Sequence, residues 1–247
     1  MSALDLAILT LGLAFAGLAK GAFGMGLPLV ATPILAAVFG PRVAVVVVTI
    51  PIFVSNSLLL IQGWKRTGVL RGIGPVALAS VVGSVIGVQL LALLDQRTFA
   101  ILISLMVAVF LLRGDRLIGD DPRARRARLL GPLVGFVGGV LQGTTSIASP
   151  LVGSYFHTLR LPPRDFVLVL AAIFELNAIV QVVGYGLLGL FTPEVLALGL
   201  IGLVPTLLAL MLGIHLRGKM DPGRFRSLIT VLLVLSTANL LYRSFIG

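Results

Sequence analysis

Residues 17–30 read Gly17-Leu-Ala-Lys20-Gly21-Ala-Phe-Gly24-Met25-Gly26-Leu-Pro28-Leu29-Val30, and residues 143–152 read Gly143-Thr144-Thr145-Ser146-Ile-Ala-Ser149-Pro150-Leu151-Val152. Each stretch interrupts a long apolar segment. Taken as one helix, residues 4–40 would run about 55 Å at roughly 1.5 Å per residue. That is too long for one crossing of a ~30 Å hydrocarbon core. The glycines and the proline divide it into two pieces, each reading as short for a full span. Irregular backbone cannot face lipid and must be buried in protein or line a wet cavity. Each opening therefore reads as a re-entrant helical hairpin that enters and returns on one side.

The two stretches belong to a longer internal match. Gly17, Gly21 and Pro28-Leu29-Val30 recur at an offset of 122 as Gly139, Gly143 and Pro150-Leu151-Val152. Asn56 and Gly63-Trp64 recur at 121 as Asn177 and Gly184-Tyr185. Gly87, Asp95, Phe99 and Leu102-Ile103-Ser104 recur at 126 as Gly213, Asp221, Phe225 and Leu228-Ile229-Thr230. The order is kept while the offset drifts by a few residues. Internal duplication of this kind is a signature of secondary transporters. The chain divides into a first transmembrane repeat at 1–113, a basic linker at 114–128 and a second repeat at 129–247, all within one structural domain.

Composition agrees with a membrane setting. Of 247 residues, 58% are hydrophobic and 11% charged, and mean hydropathy is +1.12. A soluble domain carries about 25% charged residues, so a soluble enzyme is excluded, as is a disordered chain. With no cysteine, disulfides and thiol chemistry are excluded. No metal site is expected, because the two histidines, His157 and His215, are too few without carboxylate help. The start Met1-Ser-Ala-Leu-Asp5 has no basic n-region, so the first apolar stretch is expected to be retained rather than cleaved. The net charge of +10 reads as positive charge held on one membrane face rather than a nucleic-acid surface.

Lysine and arginine also choose between topologies. With eight simple crossings, the basic residues split 10 to 8 between the faces. With each opening returning to its own side, they split 15 to 3, leaving Arg42, Arg97 and Arg243 on the poorer face. The second split obeys the positive-inside rule. The expected fold is all-α and integral to the membrane, with two inverted-topology repeats. Each repeat has a broken-helix hairpin plus three transmembrane helices, giving about eight transmembrane segments. Both termini are expected outside the cytoplasm and the linker inside it.

Gly17-x3-Gly21-x2-Gly24-Met25-Gly26-Leu27-Pro28-Leu29, Gly63-Trp64-Lys65-Arg66-Thr67-Gly68 and the Gly83-x3-Gly87 helix resemble the sulfite exporter TauE/SafE family. The resemblance covers nearly the whole chain. It implies a bacterial inner-membrane transporter of anions such as sulfite or organosulfonates, with export as the direction. The chain departs from the family pattern at Ala22-Phe23 and Met25, and at Thr144, Thr145, Ser146 and Ser149, where denser glycine is usual.

The two breaks are the best site candidates. Proline suits the first helical turn, so Pro28 and Pro150 fit the starts of returning half-helices, with Ser149 as a cap. Free N–H groups and the helix dipole at such starts favour an anion. Gly21, Gly24 and Gly26 would let backbone approach it, or serve only close helix packing. Lys20 would add a point charge, at an insertion cost of about 2.5–3.5 kcal/mol, or would reach to an interface. Gln142 is its counterpart in the second repeat. Thr144, Thr145 and Ser146 offer hydroxyl donors to an oxyanion or to the broken backbone. Asn56 and Asn177 could flank a substrate or bond between helices. Asn177, Gln181 and Gly184 share one helical face.

Glu175 is the lone acidic residue deep in an expected span. Burial disfavours its charged form, so it is a candidate proton carrier, with a structural bond or a salt bridge to Lys20 as the alternative. Trp64 and Tyr185 read as interfacial aromatics, and Glu194 and Asp165 as span-end acids without obvious partners. The expected function is a secondary transporter of a small anion by alternating access, with proton coupling a candidate. Alternatives are an anion channel and, behind it, an intramembrane enzyme, for which no catalytic constellation stands out. No cofactor is expected. The expected partners are the anion, protons and the lipid bilayer.

Overall fold

A computed structural model describes residues 2–113, 124–217 and 222–245. Among them the secondary structure is helical throughout, with no strand. In chain order the helices are α1 (Ala3–Phe23), α2 (Leu27–Phe39), α3 (Pro41–Gly63), α4 (Gly74–Leu93), α5 (Gln96–Arg113), α6 (Ala124–Thr145), α7 (Ser149–Thr158), α8 (Pro163–Leu187), α9 (Pro193–Leu216) and α10 (Pro222–Phe245). A 3₁₀ segment, Trp64–Gly72, joins α3 to α4. Residues 114–123 of the expected linker, and Asp221 of the repeat, lie outside the described residues. The helix that follows the linker begins at Ala124, inside the stretch expected to be linker.

Five described helices are long and apolar enough to cross a membrane: α1, α3, α4, α8 and α9. The length of α1 corrects the sequence reading. It has 21 residues, about 31 Å at helical rise, so the first piece of the opening is full length. The returning piece is short, since α2 has 13 residues and α7 has 10. The start of α1 follows from Ser2 and Asp5. The Ser2 hydroxyl accepts from the Asp5 N–H at 3.1 Å, and the Asp5 carboxylate accepts from the Ser2 N–H at 2.8 Å, a reciprocal cap.

Helix pairing is set by small residues. α1 lies along α9, and α6 lies along α4. A Cβ on Gly17 would sit 2.3 Å from the Thr206 carbonyl oxygen of α9, and one on Gly139 would sit 2.0 Å from the Ser80 oxygen of α4. Backbones in membranes approach this closely only where side chains are small. α3 and α8 pack against each other. Gly63 of α3 meets Leu168 near the start of α8, whereas Ser57 meets Glu175 further along it. The two helices therefore run antiparallel. Arg66, in the 3₁₀ segment, pairs with Asp165 at 3.0 Å, which puts the α3–α4 and α7–α8 connections at one end. Asp165 thus has the partner that the sequence did not reveal. At the other end Arg42 donates to the Leu94 carbonyl at 2.7 Å.

Candidate functional site

The breaks are two versions of one backbone turn. Gly24 ends α1 in the left-handed region at φ 81°, its N–H bonded to the Lys20 carbonyl at 2.7 Å. Gly26, at φ 100°, leads into α2, with Pro28 in the first turn. In the second opening Ser146 takes the place of Gly24, at φ 60°, its N–H bonded to the Gln142 carbonyl at 2.9 Å. A left-handed non-glycine residue costs on the order of 1 kcal/mol. Gln181 Nε2 offsets this by donating to the Ser146 hydroxyl at 2.9 Å. The residue capping α7 is Ala148, not Ser149, and no side chain caps it. The Ser149 hydroxyl has no hydrogen-bond partner.

The two turns face each other across one small cavity. From the first come Lys20, Gly26 and Pro28, and from the second Gln142 and Ser149. Met25, Ile52 and Phe174 supply apolar walls. The cavity measures about 10 Å³, room for about one water. Lys20 is only 3% exposed. Its ammonium donates to Ser55 Oγ at 2.8 Å and to Asn56 Oδ1. Ser55 in turn donates to the Ile52 carbonyl at 3.0 Å. Lys20 also sits in the last turn of α1, where the helix dipole favours a cation.

Both long helices end on carbonyls that lack intrahelical donors, and side chains supply them. Arg217 donates twice to the Gly21 carbonyl, at 3.1 and 2.8 Å. Tyr185 donates to the Gly143 carbonyl, 122 residues after Gly21, at 2.7 Å. Tyr185 is fully buried, which corrects its reading as an interfacial aromatic. Trp64 is exposed, as an interfacial residue would be. Burial also weakens the hold of Arg217 on its proton, lowering its pKa from the usual guanidinium value, and neighbouring Arg164 adds to this.

The other candidates lie off the cavity. Thr144 donates to the Val140 and Gly87 carbonyls, and Thr145 to the Leu141 carbonyl, so both hydroxyls serve backbone. Gly21 packs on α9, and Gly24 packs on Val167. Asn56 is placed one step back, holding Lys20. Asn177 exchanges hydrogen bonds with Ser80 at 2.7 and 3.0 Å, joining α8 to α4. Glu175 accepts from the Ser57 hydroxyl at 2.5 Å, and its second oxygen is buried without a partner. It makes no direct ion pair with Lys20, although the two bond consecutive residues of α3 and their charges act on one another. Ser55, Gln181, Ile52 and Phe174 join the site unannounced. Only Gln181 carried a signal, its shared face with Asn177. No cluster of three or more metal-ligating acids and histidines occurs among the described residues.

The comparisons with known proteins give one match. The family model described as Sulfite exporter TauE/SafE matches residues 9–240. No curated protein and no solved structure matches the chain. The chain belongs to the sulfite exporter TauE/SafE family, a family of membrane transporters rather than enzymes, and is a multi-pass membrane protein.

Proposed function

We propose that this family member is a secondary carrier of a small sulfur oxyanion, sulfite or an organosulfonate, in the bacterial inner membrane. One observation carries the reading. Two broken helices, one from each half, bring a buried ammonium and two helix starts to a single cavity. Helix starts and ammonium groups both favour negative charge. Gly21, Gly24, Asn56, Thr144, Thr145, Ser146 and Asn177 then shape or support the site rather than line it.

Alternating access of two inverted repeats is the mechanism we favour. Equivalent residues make the two crossings, Gly17 on Thr206 and Gly139 on Ser80, and the equivalent helices α3 and α8 run antiparallel. The cavity, with room for about one water, is too small for an oxyanion, which suits a carrier that must rearrange better than an open pore. The end carrying Lys65, Arg66, Arg71, Arg160, Arg164 and Arg217 suits the cytoplasm, with both termini opposite. Glu175 is the candidate for proton coupling, and export the direction that fits the family.

Reconstituted protein should show saturable sulfite flux that an imposed pH gradient accelerates. Lys20→Met should lower kcat/KM by about tenfold or more, the value of a hydrogen bond to a charged group, while the protein stays folded. Equal flux by wild type and Lys20→Met would refute the site.

A further inference from the structure

The polar atoms around the cavity describe the ligand more closely than "anion". Gln181 Nε2 donates to the main-chain carbonyl of Gln142 at 2.8 Å, and that oxygen can only accept. This fixes which end of the Gln181 amide is nitrogen. Its Oε1 therefore faces Gln142, and only Gln142 Nε2 can meet it, at 3.4 Å. The orientation of Gln142 follows, and Gln142 Oε1 remains with no donor. The residue lines the cavity and is 1% exposed.

Two further unpartnered groups near Lys20 and Gln142 can donate. Asn56 uses its oxygen on Lys20, so its Nδ2 is a free donor. The Ser149 hydroxyl is also unpartnered. Lys20 spends two of its three protons on Ser55 and Asn56. Among the described residues Lys20 is the sole basic side chain lining the cavity. Glu175, the acid whose charge acts on Lys20, adds no positive charge, so a dianion there would leave at least one negative charge uncompensated within the membrane, an expensive state.

We infer that the site, once the cavity widens to admit it, selects a monoanion that itself carries a hydrogen-bond donor, with its bare oxygens toward Lys20 and Ser149 and its donor on Gln142 Oε1. A singly protonated oxyanion such as hydrogen sulfite meets both conditions. Sulfate, a dianion with no donor, meets neither. This specificity rests on the anion-carrier reading above.

Sulfamate and methanesulfonate make a direct test. Both are monoanions of nearly the same size and shape, differing by an amino group in place of a methyl. Titration of the intact protein in lipid nanodiscs at neutral pH should find sulfamate about tenfold tighter than methanesulfonate, the value of one satisfied buried acceptor. Sulfate should bind more weakly than either. In Gln142→Met the ratio of the two monoanions should fall to about one. Equal affinities in the wild type would overturn the inference and leave the carrier reading standing, whether or not the variant folds. Sulfate binding as tight as sulfamate would overturn the charge requirement. Binding of neither monoanion would remove the sulfur-oxyanion reading of the site, and this inference with it.

Discussion

Gly139→Ala tests the helix crossing on which the second break depends. The added Cβ would lie 2.0 Å from the Ser80 carbonyl oxygen, 2.8 Å from its carbon and 2.9 Å from its Cα. Ordinary contact begins near 3.4 Å, so α4 and α6 must part by roughly 1 Å at that point, beyond what packed interiors absorb freely. All three atoms are backbone, and no rotamer change can relieve the contact. Parting the helices also loosens Gly143 from Ser84, one turn further along. Overpacking of this kind costs about 1–3 kcal/mol, and the lost contacts place Gly139→Ala at the upper end. Gly17→Ala, with its Cβ 2.3 Å from the Thr206 oxygen, should behave alike. Gly186→Ala is the control. It is helical with nothing within 4 Å, so it should be neutral or gain up to about 1 kcal/mol. The assay is equilibrium unfolding in mixed micelles. If Gly139→Ala lies within about 0.5 kcal/mol of wild type, α4 and α6 do not cross at Ser80.

Tyr185→Phe leaves the Gly143 carbonyl without its donor in a buried setting, and should cost about 1–3 kcal/mol by the same unfolding assay. Glu175→Gln keeps an acceptor for the Ser57 hydroxyl, so the protein should fold while flux in proteoliposomes loses its response to a pH gradient. An unchanged response would refute proton coupling through this residue. Arg66→Gln removes the Arg66–Asp165 pair, whose side chains are 49% and 21% exposed. Thermal unfolding should register less than about 1 kcal/mol.

The fold was legible where the determinants are local. Pro28 and Pro150 mark the starts of α2 and α7, because proline in the first turn forfeits no helical hydrogen bond. Gly24 and Gly26 mark the first turn between helices, because both take positive φ. The second turn was harder to read, since Ser146 adopts the conformation of Gly24 with help from Gln181, 35 residues away. Tyr185 misled for a related reason. An aromatic near a helix end reads as interfacial, but its depth depends on α6 ending beside it. The hydroxyls of Thr144 and Thr145 could have been assigned to backbone, since each bonds the carbonyl four residues before it. Lys20 could be singled out as costly from sequence, yet its partners Ser55 and Asn56 come from α3 and needed the tertiary fold.

The match between the halves matters most where it fails. An exact repeat would place a second lysine at 142 and a second glycine at 146. Two ammonium groups would then share a cavity of about 10 Å³, where like charges disfavour one another's ionised form. Gln142 keeps the polarity and drops the charge, so the site holds one cation. On the inverted-repeat reading this asymmetry has a further consequence. In an exactly repeated carrier the inward-open and outward-open states are equivalents of equal free energy. Lys20 against Gln142, Gly24 against Ser146 and Glu175 against Val54 each remove that equality. On that reading these positions are among those that set the resting state, while the crossings at Gly17 and Gly139, where the match holds, would provide the two surfaces that slide or part. Substitutions at the unequal positions should therefore shift which side is open, and substitutions at the crossings should slow the exchange or unfold the chain.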